Sequence, residues 1–171
     1  MGSIVNFEFK AKSKNLDEKR SILLGLGANS IGVDHQIDTY YQVDRGRLKL
    51  RQGNIENTLI HYNRENKSGP KKSDVSLFKT GSTASLKTLL DKALDQKVVV
   101  DKKREILFIG NTKFHLDRVE GLGEFIEVEV ISDDPNCNVS LLKEKCDFYL
   151  EKLMVGKDDL IDCSYSDLLG K

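Results

Sequence analysis

The fold is decided by the stretch Phe125-Ile126-Glu127-Val128-Glu129-Val130, in which acidic and apolar residues alternate. Side chains of a β-strand point to opposite faces in turn, so this pattern predicts a strand with one acidic and one apolar face. Residues 6–12 also alternate charged with apolar residues but with Glu8, Lys10 and Lys12 on the charged face, and residues 45–51 carry arginine or lysine at every second position. Acidic and basic strands folded around one cavity would make a site for a divalent metal and a polyanion.

Length and composition limit the classes of function that need to be considered. The 171 residues predict one domain spanning residues 1–171. Lys+Arg and Asp+Glu both number 27, so the chain has no general attraction for nucleic acid or an anionic membrane, and we expect neither partner. No apolar run approaches the roughly 20 residues that span a bilayer. The three cysteines lie too far apart for a disulfide framework or a zinc site, which favours a cytoplasmic location.

Periodicity and turn residues predict mostly antiparallel strands with about three helices and a short helix near the C-terminus. The three helices are expected at about residues 16–26, 82–94 and 139–153. Residues 97–109 are interpreted as two strands around a bend, and residues 65–73 as a flexible basic loop. Strands that each carry one charged face can close into a barrel with a polar interior, covered by helices on its apolar exterior.

Three glutamates on the predicted charged faces are candidate metal ligands, namely Glu8, Glu127 and Glu129. Carboxylate oxygens suit Mg²⁺ or Mn²⁺, which proteins usually hold through a few carboxylates together with substrate phosphates. The alternative is that these side chains face water. Asp117 is a candidate for orienting a cation or a substrate hydroxyl, and its alternative is an ion pair with Arg118 or with a lysine of another strand.

Basic residues on the same predicted faces are candidate phosphate ligands: Lys10, Lys12, Arg47, Lys49, Arg51, Arg64, Lys102 and Arg104. Arginine binds phosphate through two parallel hydrogen bonds, and lysine supplies a compact charge. A triphosphate carries about four negative charges, so several of these residues must converge. The alternative is a solvated sheet face, which we prefer for Lys67, Lys71 and Lys72. The three histidines, His35, His61 and His115, lack metal-binding spacing and are expected to be surface or structural residues.

The chain resembles the CYTH family, which contains the class IV adenylyl cyclases and thiamine triphosphatases and is also called the triphosphate tunnel enzymes. The most distinctive similar stretch runs from Phe114 to Glu129 and includes Gly-Leu-Gly-Glu-Phe-Ile-Glu. The family's opening Glu-x-Glu-x-Lys strand is matched by Asn6–Lys10, with Asn6 in place of the first glutamate. Residues 164–169 are similar to the end of the bacterial cyclases. Further similar blocks are Asp38–Tyr41, Gly46–Arg51, Gly69–Lys71 and Asp101–Arg104.

This resemblance implies an α+β fold in which an eight-stranded antiparallel β-barrel, the triphosphate tunnel, has helices packed outside. It implies that the tunnel binds ATP or another triphosphate with Mg²⁺ or Mn²⁺. Metal would be held by Glu8 and Glu127, with help from Glu129. The residues that would bind the phosphates are Lys10, Lys49, Arg51, Arg64, Lys102 and Arg104. The residues expected to carry catalysis are Glu8, Lys10, Arg51, Asp117 and Glu127.

Two enzyme activities and two non-catalytic alternatives follow. A class IV adenylyl cyclase-like enzyme would convert ATP to cyclic AMP and pyrophosphate, whereas a triphosphatase would hydrolyse thiamine triphosphate, tripolyphosphate or a nucleoside triphosphate. The first non-catalytic alternative is a module that only binds a phosphorylated ligand, which Asn6 favours because it removes one carboxylate. The second is an open sheet with water-facing charges and no ligand. Assembly as a homodimer is left open.

Overall fold

Eight antiparallel strands form a closed barrel in the computed structural model, which describes residues 4–64, 66–134 and 136–170. Each strand pairs with two neighbours in the order β1-β5-β4-β3-β2-β6-β7-β8, and β8 pairs with β1. This confirms the expected α+β fold with an eight-stranded antiparallel barrel. The strands are β1 (Ile4–Lys12), β2 (Asn29–Tyr41), β3 (Arg47–Gln52), β4 (Thr58–Arg64), β5 (Lys71–Lys79), β6 (Gln96–Ile109), β7 (Thr112–Val119) and β8 (Gly123–Ser132).

Four α-helices accompany the barrel in the described part of the chain: α1 (Leu16–Gly25), α2 (Thr83–Ala93), α3 (Val139–Lys152) and α4 (Tyr165–Leu169). Asn15 starts α1 by accepting a hydrogen bond from the backbone N–H of Glu18 at 3.1 Å. Ser164 starts α4 through a capping box with Asp167. Among the described residues, none of these helices has the length and apolar character that crossing a membrane requires.

Two expectations about local structure are wrong. Residues 97–109 contain no bend, because β6 is a single strand of 14 residues that pairs with β2 on one side and with β7 on the other. Strand β5 begins at Lys71, inside the stretch that was expected to be a loop; residue 65 of that stretch lies outside the described residues. Lys71 lies opposite Glu8 of β1, and this pairing extends the strand.

The apolar faces of the strands point outward and form the main hydrophobic core with the helices. Phe9 and Phe114 have no solvent exposure and belong to one cluster with Leu23 of α1 and Cys146 of α3. Because side chains alternate along each strand, burying these residues outside the barrel turns their charged neighbours inward. The charged faces therefore line the interior, as the sequence predicted.

We expect Phe9→Ala to lower the free energy of unfolding by about 3 to 5 kcal/mol, because it removes a large side chain from the core between barrel and helices. The matched control is Phe78→Ala, since the Phe78 side chain is exposed on β5 and should change stability by no more than about 0.5 kcal/mol. Urea unfolding followed by circular dichroism measures both values. Equal losses for the two variants would contradict this location of the core.

Candidate functional site

The barrel encloses a cavity of about 630 Å³, which we call the tunnel. Among its described lining residues are eight lysines or arginines and five aspartates or glutamates, an excess of three positive charges. The tunnel brings together nine of the ten site residues that the family resemblance implies: Glu8, Lys10, Lys49, Arg51, Arg64, Lys102, Arg104, Glu127 and Glu129. The tenth, Asp117, is fully buried inside the barrel, where it is hydrogen-bonded to Arg104.

The first cluster in the tunnel centres on Asp38 of β2. Its carboxylate accepts hydrogen bonds from Arg51 at 2.9 and 3.0 Å, from Lys49 at 3.0 Å and from Lys102 at 2.7 Å. Burial alone would raise the pKa of Asp38, but Arg51, followed by Lys102 and Lys49, holds it well below its usual range. Burial lowers the pKa of Lys102 even though Asp38 opposes the shift. Asp38 thus contacts three cations, of which Arg51 also contacts Glu56, so two carboxylates face three cations here.

The second cluster centres on Arg104 of β6, which contacts one residue of β7 and one of β8. Its guanidinium donates two hydrogen bonds of 2.6 Å to Asp117 and one of 3.0 Å to Glu127. The hydroxyl of Tyr165 donates to Asp117 at 2.7 Å. Asp117 is therefore paired with Arg104, not with Arg118 or a lysine, and it fixes the direction in which Arg104 points.

A third cluster combines two carboxylates with an imidazole. His115, Glu127 and Glu129 each offer a ligand atom, and these atoms lie within 4.8 Å of one another. Burial, followed by the charge of Glu127, raises the pKa of Glu129, whereas Lys10 and His115 hold the pKa of Glu127 well below its usual range against the effect of burial. Burial, helped by Arg104, lowers the pKa of His115 to about 3, so the ring is neutral.

The same region fits a divalent cation by its donor chemistry. Glu8 lies directly opposite Glu129 in the pairing of β1 with β8, and Arg64 forms an ion pair with Glu8. Two buried tunnel atoms, Asn6 Oδ1 and His115 Nε2, have no hydrogen-bond partner within the described ranges. Carboxylate, amide and imidazole groups are all metal ligands in proteins.

One end of the tunnel is covered by α4, and we call it the closed end. The Tyr165 ring lies 3.9 Å from Lys10 Nζ and packs edge-to-face on Phe125, with ring centroids 5.0 Å apart. Asp167 of the same helix accepts a hydrogen bond from Arg47 at 3.0 Å. The C-terminal segment is therefore tied to the tunnel wall by a ring contact and an ion pair.

The other end is bordered by apolar side chains, and we call it the apolar end. Its lining includes Ile31, Ile55, Val75, Leu77, Phe108 and Ile131. Ile31 and Ile55 are 45% and 42% exposed, so this end reaches solvent. Glu56 lies beside it, accepting a hydrogen bond from Arg51 at 2.8 Å and pairing with Lys113 on the facing wall.

Two expectations about basic residues are wrong. Lys71, which was interpreted as solvated, is fully buried and donates to the carbonyl oxygens of Lys67 at 2.9 Å and Asp162 at 3.1 Å. Its burial lowers the pKa of its amine to about 8. Lys12, which was included with the phosphate ligands, is exposed on the surface.

Sequence reasoning also missed several tunnel residues, of which His115 is the most informative. His35 and His61 are exposed, in agreement with the expectation, but His115 is 1% exposed and faces the carboxylates. Its alternation with Lys113 and Asp117 along β7 was the available signal, because all three belong to the face that points inward. Asp38, Glu56 and Tyr165 had no comparable signal in the sequence, because their roles depend on pairing between distant segments.

Comparisons with known proteins agree with this geometry. The CYTH domain family model matches residues 5–165. A protein from Pyrococcus horikoshii has a TM-score of 0.79 at 23% identity, covering 95% of this chain and 98% of its own. A candidate adenylate cyclase from Vibrio parahaemolyticus has a TM-score of 0.81 at 19% identity, covering 100% of both chains.

A more distant structural neighbour comes from Hippeastrum, a candidate adenylyl cyclase with a dominant triphosphatase activity. Its TM-score is 0.63 at 11% identity, covering 97% of this chain and 93% of its own. No curated protein matches the sequence significantly. The structural likenesses establish the shared barrel, and the family model covers most of the chain with its charged strands. This protein belongs to the CYTH domain family.

Proposed function

We propose that this protein is a metal-dependent enzyme that binds a triphosphate in the tunnel and breaks one of its phosphoanhydride bonds. The observation that carries the proposal is the excess of three positive charges among the described residues lining a buried cavity. Uncompensated buried charge is costly in free energy, so such a cavity favours an anionic ligand of nearly matching charge. A nucleoside triphosphate with about four negative charges meets this requirement better than a single phosphate does.

The phosphate-binding residues are Lys10, Lys49, Arg51, Arg64, Lys102 and Arg104, and they are held in position before a ligand arrives. Asp117 orients Arg104, and Asp38 orients Arg51 through two hydrogen bonds. Preorganised donors need little rearrangement when charge develops on phosphate oxygens, which is how such sites lower reaction barriers. Burial lowers the pKa values of Lys10 and Lys102, and a phosphate beside them would raise these pKa values again.

Glu127, Glu129 and Glu8 are the residues proposed to hold Mg²⁺ or Mn²⁺. A divalent cation at this position would neutralise charge on phosphate oxygens and polarise the reacting phosphorus. Glu8 and Glu129 are directly opposite each other on paired strands, and Glu127 is the next inward-facing residue of β8. The chain's own contribution is to keep these three carboxylates on the paired strands β1 and β8, across the barrel from β3 with Lys49 and Arg51.

Cyclisation of ATP is the first candidate reaction, because of the order of groups along β8. From the apolar end inward, this strand presents Ile131, then Glu129, then Glu127. An organic group at the apolar end would place its own phosphate, the α-phosphate, next to the carboxylates. Attack of the ribose hydroxyl oxygen on the α-phosphorus would form the cyclic ester, and pyrophosphate would leave toward the lysines and arginines that stabilise its charge.

Hydrolysis of a triphosphate is the second candidate, with water attacking the terminal phosphorus. It is favoured by the lining of the inner tunnel, where the cationic side chains can satisfy phosphate groups without any organic group. The Hippeastrum neighbour, which shares this barrel, has a dominant triphosphatase activity. The same charged residues would serve both reactions, and the identity of the attacking oxygen separates them.

The products of the reaction decide between the candidates. We expect incubation with ATP and Mn²⁺ to give cyclic AMP and pyrophosphate, separated by chromatography, with thiamine triphosphate and tripolyphosphate tested in parallel. Release of ADP and phosphate, or hydrolysis of tripolyphosphate, would instead assign a triphosphatase. Binding of these compounds without turnover would leave only the non-catalytic module suggested by Asn6.

We expect Glu127→Gln to lower kcat by at least about 100-fold, because it removes the negative charge at which Lys10, Arg104 and His115 converge. The matched control is Glu124→Gln on the same strand, where the side chain pairs with Arg118 on the surface. Steady-state kinetics of product release measures both variants, and circular dichroism checks that they fold. Full activity of Glu127→Gln would refute the assignment of this residue.

We expect Leu77→Ala to raise KM for an organic triphosphate about tenfold and to leave KM for tripolyphosphate unchanged. Loss of apolar contact at the apolar end weakens binding of an organic group by about 1 to 3 kcal/mol but does not affect the phosphates. Leu89→Ala is the control, because Leu89 is 60% exposed on α2. An equal rise in KM for both substrates would contradict binding of the organic group at this end.

A further inference from the structure

We infer that His115 is a third ligand of the catalytic cation, beside Glu127 and Glu129, and that this nitrogen ligand makes the tunnel favour a transition metal such as Mn²⁺ over Mg²⁺. The inference rests on the proposed function, since it assigns a ligand to the metal which that function requires. His115 was expected from the sequence to be a surface or structural residue, and the barrel places it in the tunnel instead.

The distances suit a shared cation. His115 Nδ1 lies 3.2 Å from Glu127 Oε2 and 4.0 Å from Glu129 Oε1. Two ligand atoms that each lie about 2.1 Å from one octahedrally coordinated cation are about 3 to 4 Å apart. His115 pairs directly with Glu127 in the register of β7 with β8, so the backbone of two neighbouring strands fixes this arrangement.

The hydrogen bonding of His115 is incomplete in either neutral tautomer. The ring is 1% exposed, and Nε2 has no partner in the described part of the chain. If Nδ1 carries the proton and donates to Glu127, Nε2 is a buried acceptor with nothing to accept from. If Nε2 carries the proton, it is a buried donor without a described acceptor, and the Nδ1 lone pair faces the oxygens of two carboxylates. A cation bound to the Nδ1 lone pair turns this second arrangement from repulsive to attractive.

The ligand set also bears on which metal binds. Asn6 stands where the resemblance leads one to expect another carboxylate, so the site has lost one hard anionic oxygen while His115 offers a neutral nitrogen. Mg²⁺ takes oxygen ligands almost exclusively, whereas imidazole suits transition metals. Arg104 and Lys10 also contact Glu127, so a metal ion bound here would share that carboxylate with two positively charged side chains. Because Glu127 is shared, each further ligand, such as His115, contributes more to binding of the metal ion.

Pulsed electron paramagnetic resonance of the Mn²⁺-loaded protein tests the nitrogen ligand directly. We expect the wild-type spectrum to show the nitrogen coupling of a bound imidazole. This coupling should disappear in His115→Gln and persist in His35→Gln, because His35 is an exposed residue paired with Asp101. Bound Mn²⁺ without nitrogen coupling in the wild-type protein would overturn the inference and leave the proposed function standing.

Metal affinity gives a second readout that is independent of turnover. Calorimetric titration should show Mn²⁺ binding to His115→Gln about tenfold more weakly than to the wild type, with a smaller loss for Mg²⁺. His115→Asn guards against a folding defect in the first variant, and thermal unfolding checks both. Unchanged Mn²⁺ affinity in the folded variants would overturn the inference. Absence of Mn²⁺ binding to the wild type would overturn it as well, and loss of all metal-dependent turnover would then remove the proposed function too.

Discussion

The structure depends on the burial of charged side chains inside a barrel whose apolar surface faces outward. Transferring an ion from water to a protein interior costs several kcal/mol even after relaxation, so each charge needs partners. Asp38 is an anionic partner of Arg51, Lys49 and Lys102, and Asp117 is an anionic partner of Arg104. The hydrophobic clusters between the strands and the helices supply the favourable free energy that allows such an interior to exist.

This arrangement explains how one barrel can be stable and also suited to the proposed binding of a polyanion. The ion pairs hold the arginines and lysines in fixed directions, so little reorganisation is needed when a polyanion enters. The excess of positive charge among the described lining residues leaves these pairs incomplete, and this is the basis on which we propose a phosphate ligand. The C-terminal helix α4 covers one end through Tyr165 and Asp167, while the apolar end stays accessible.

The sequence predicted the barrel and most of its lining, because the alternation of charged and apolar residues along a strand indicates which side chains share a face. Glu127 and Arg51 were expected to meet in one cavity on this basis, and both line the tunnel. The alternation does not indicate which side chain each charged residue pairs with. The pairing of Asp38 with Arg51 depends on the register of β2 against β3, and that of His115 with Glu127 depends on β7 against β8. Register is set by the whole barrel and is not encoded in a local pattern.

The remaining errors have the same physical origin. Lys71 looks like a loop residue because a Gly-Pro pair precedes it, yet pairing with β1 draws it into the sheet and turns its side chain inward. The expected bend in β6 is absent because β2 pairs along nearly the whole strand and β7 pairs with residues 102–109. The local sequence therefore predicts which strands have a charged and an apolar face, and the closure of the barrel decides which residues occupy the interior.

The central claim, that the buried cations form one binding site for a polyphosphate chain, is tested most directly by calorimetric titration of tripolyphosphate into Lys102→Met and Lys103→Met. Lys102 is 2% exposed in the tunnel, whereas its neighbour Lys103 points to solvent. The account predicts that Lys102→Met weakens binding by about tenfold or more, equivalent to at least about 1.4 kcal/mol, and that Lys103→Met has the wild-type affinity. Equal affinities for the two variants would contradict it.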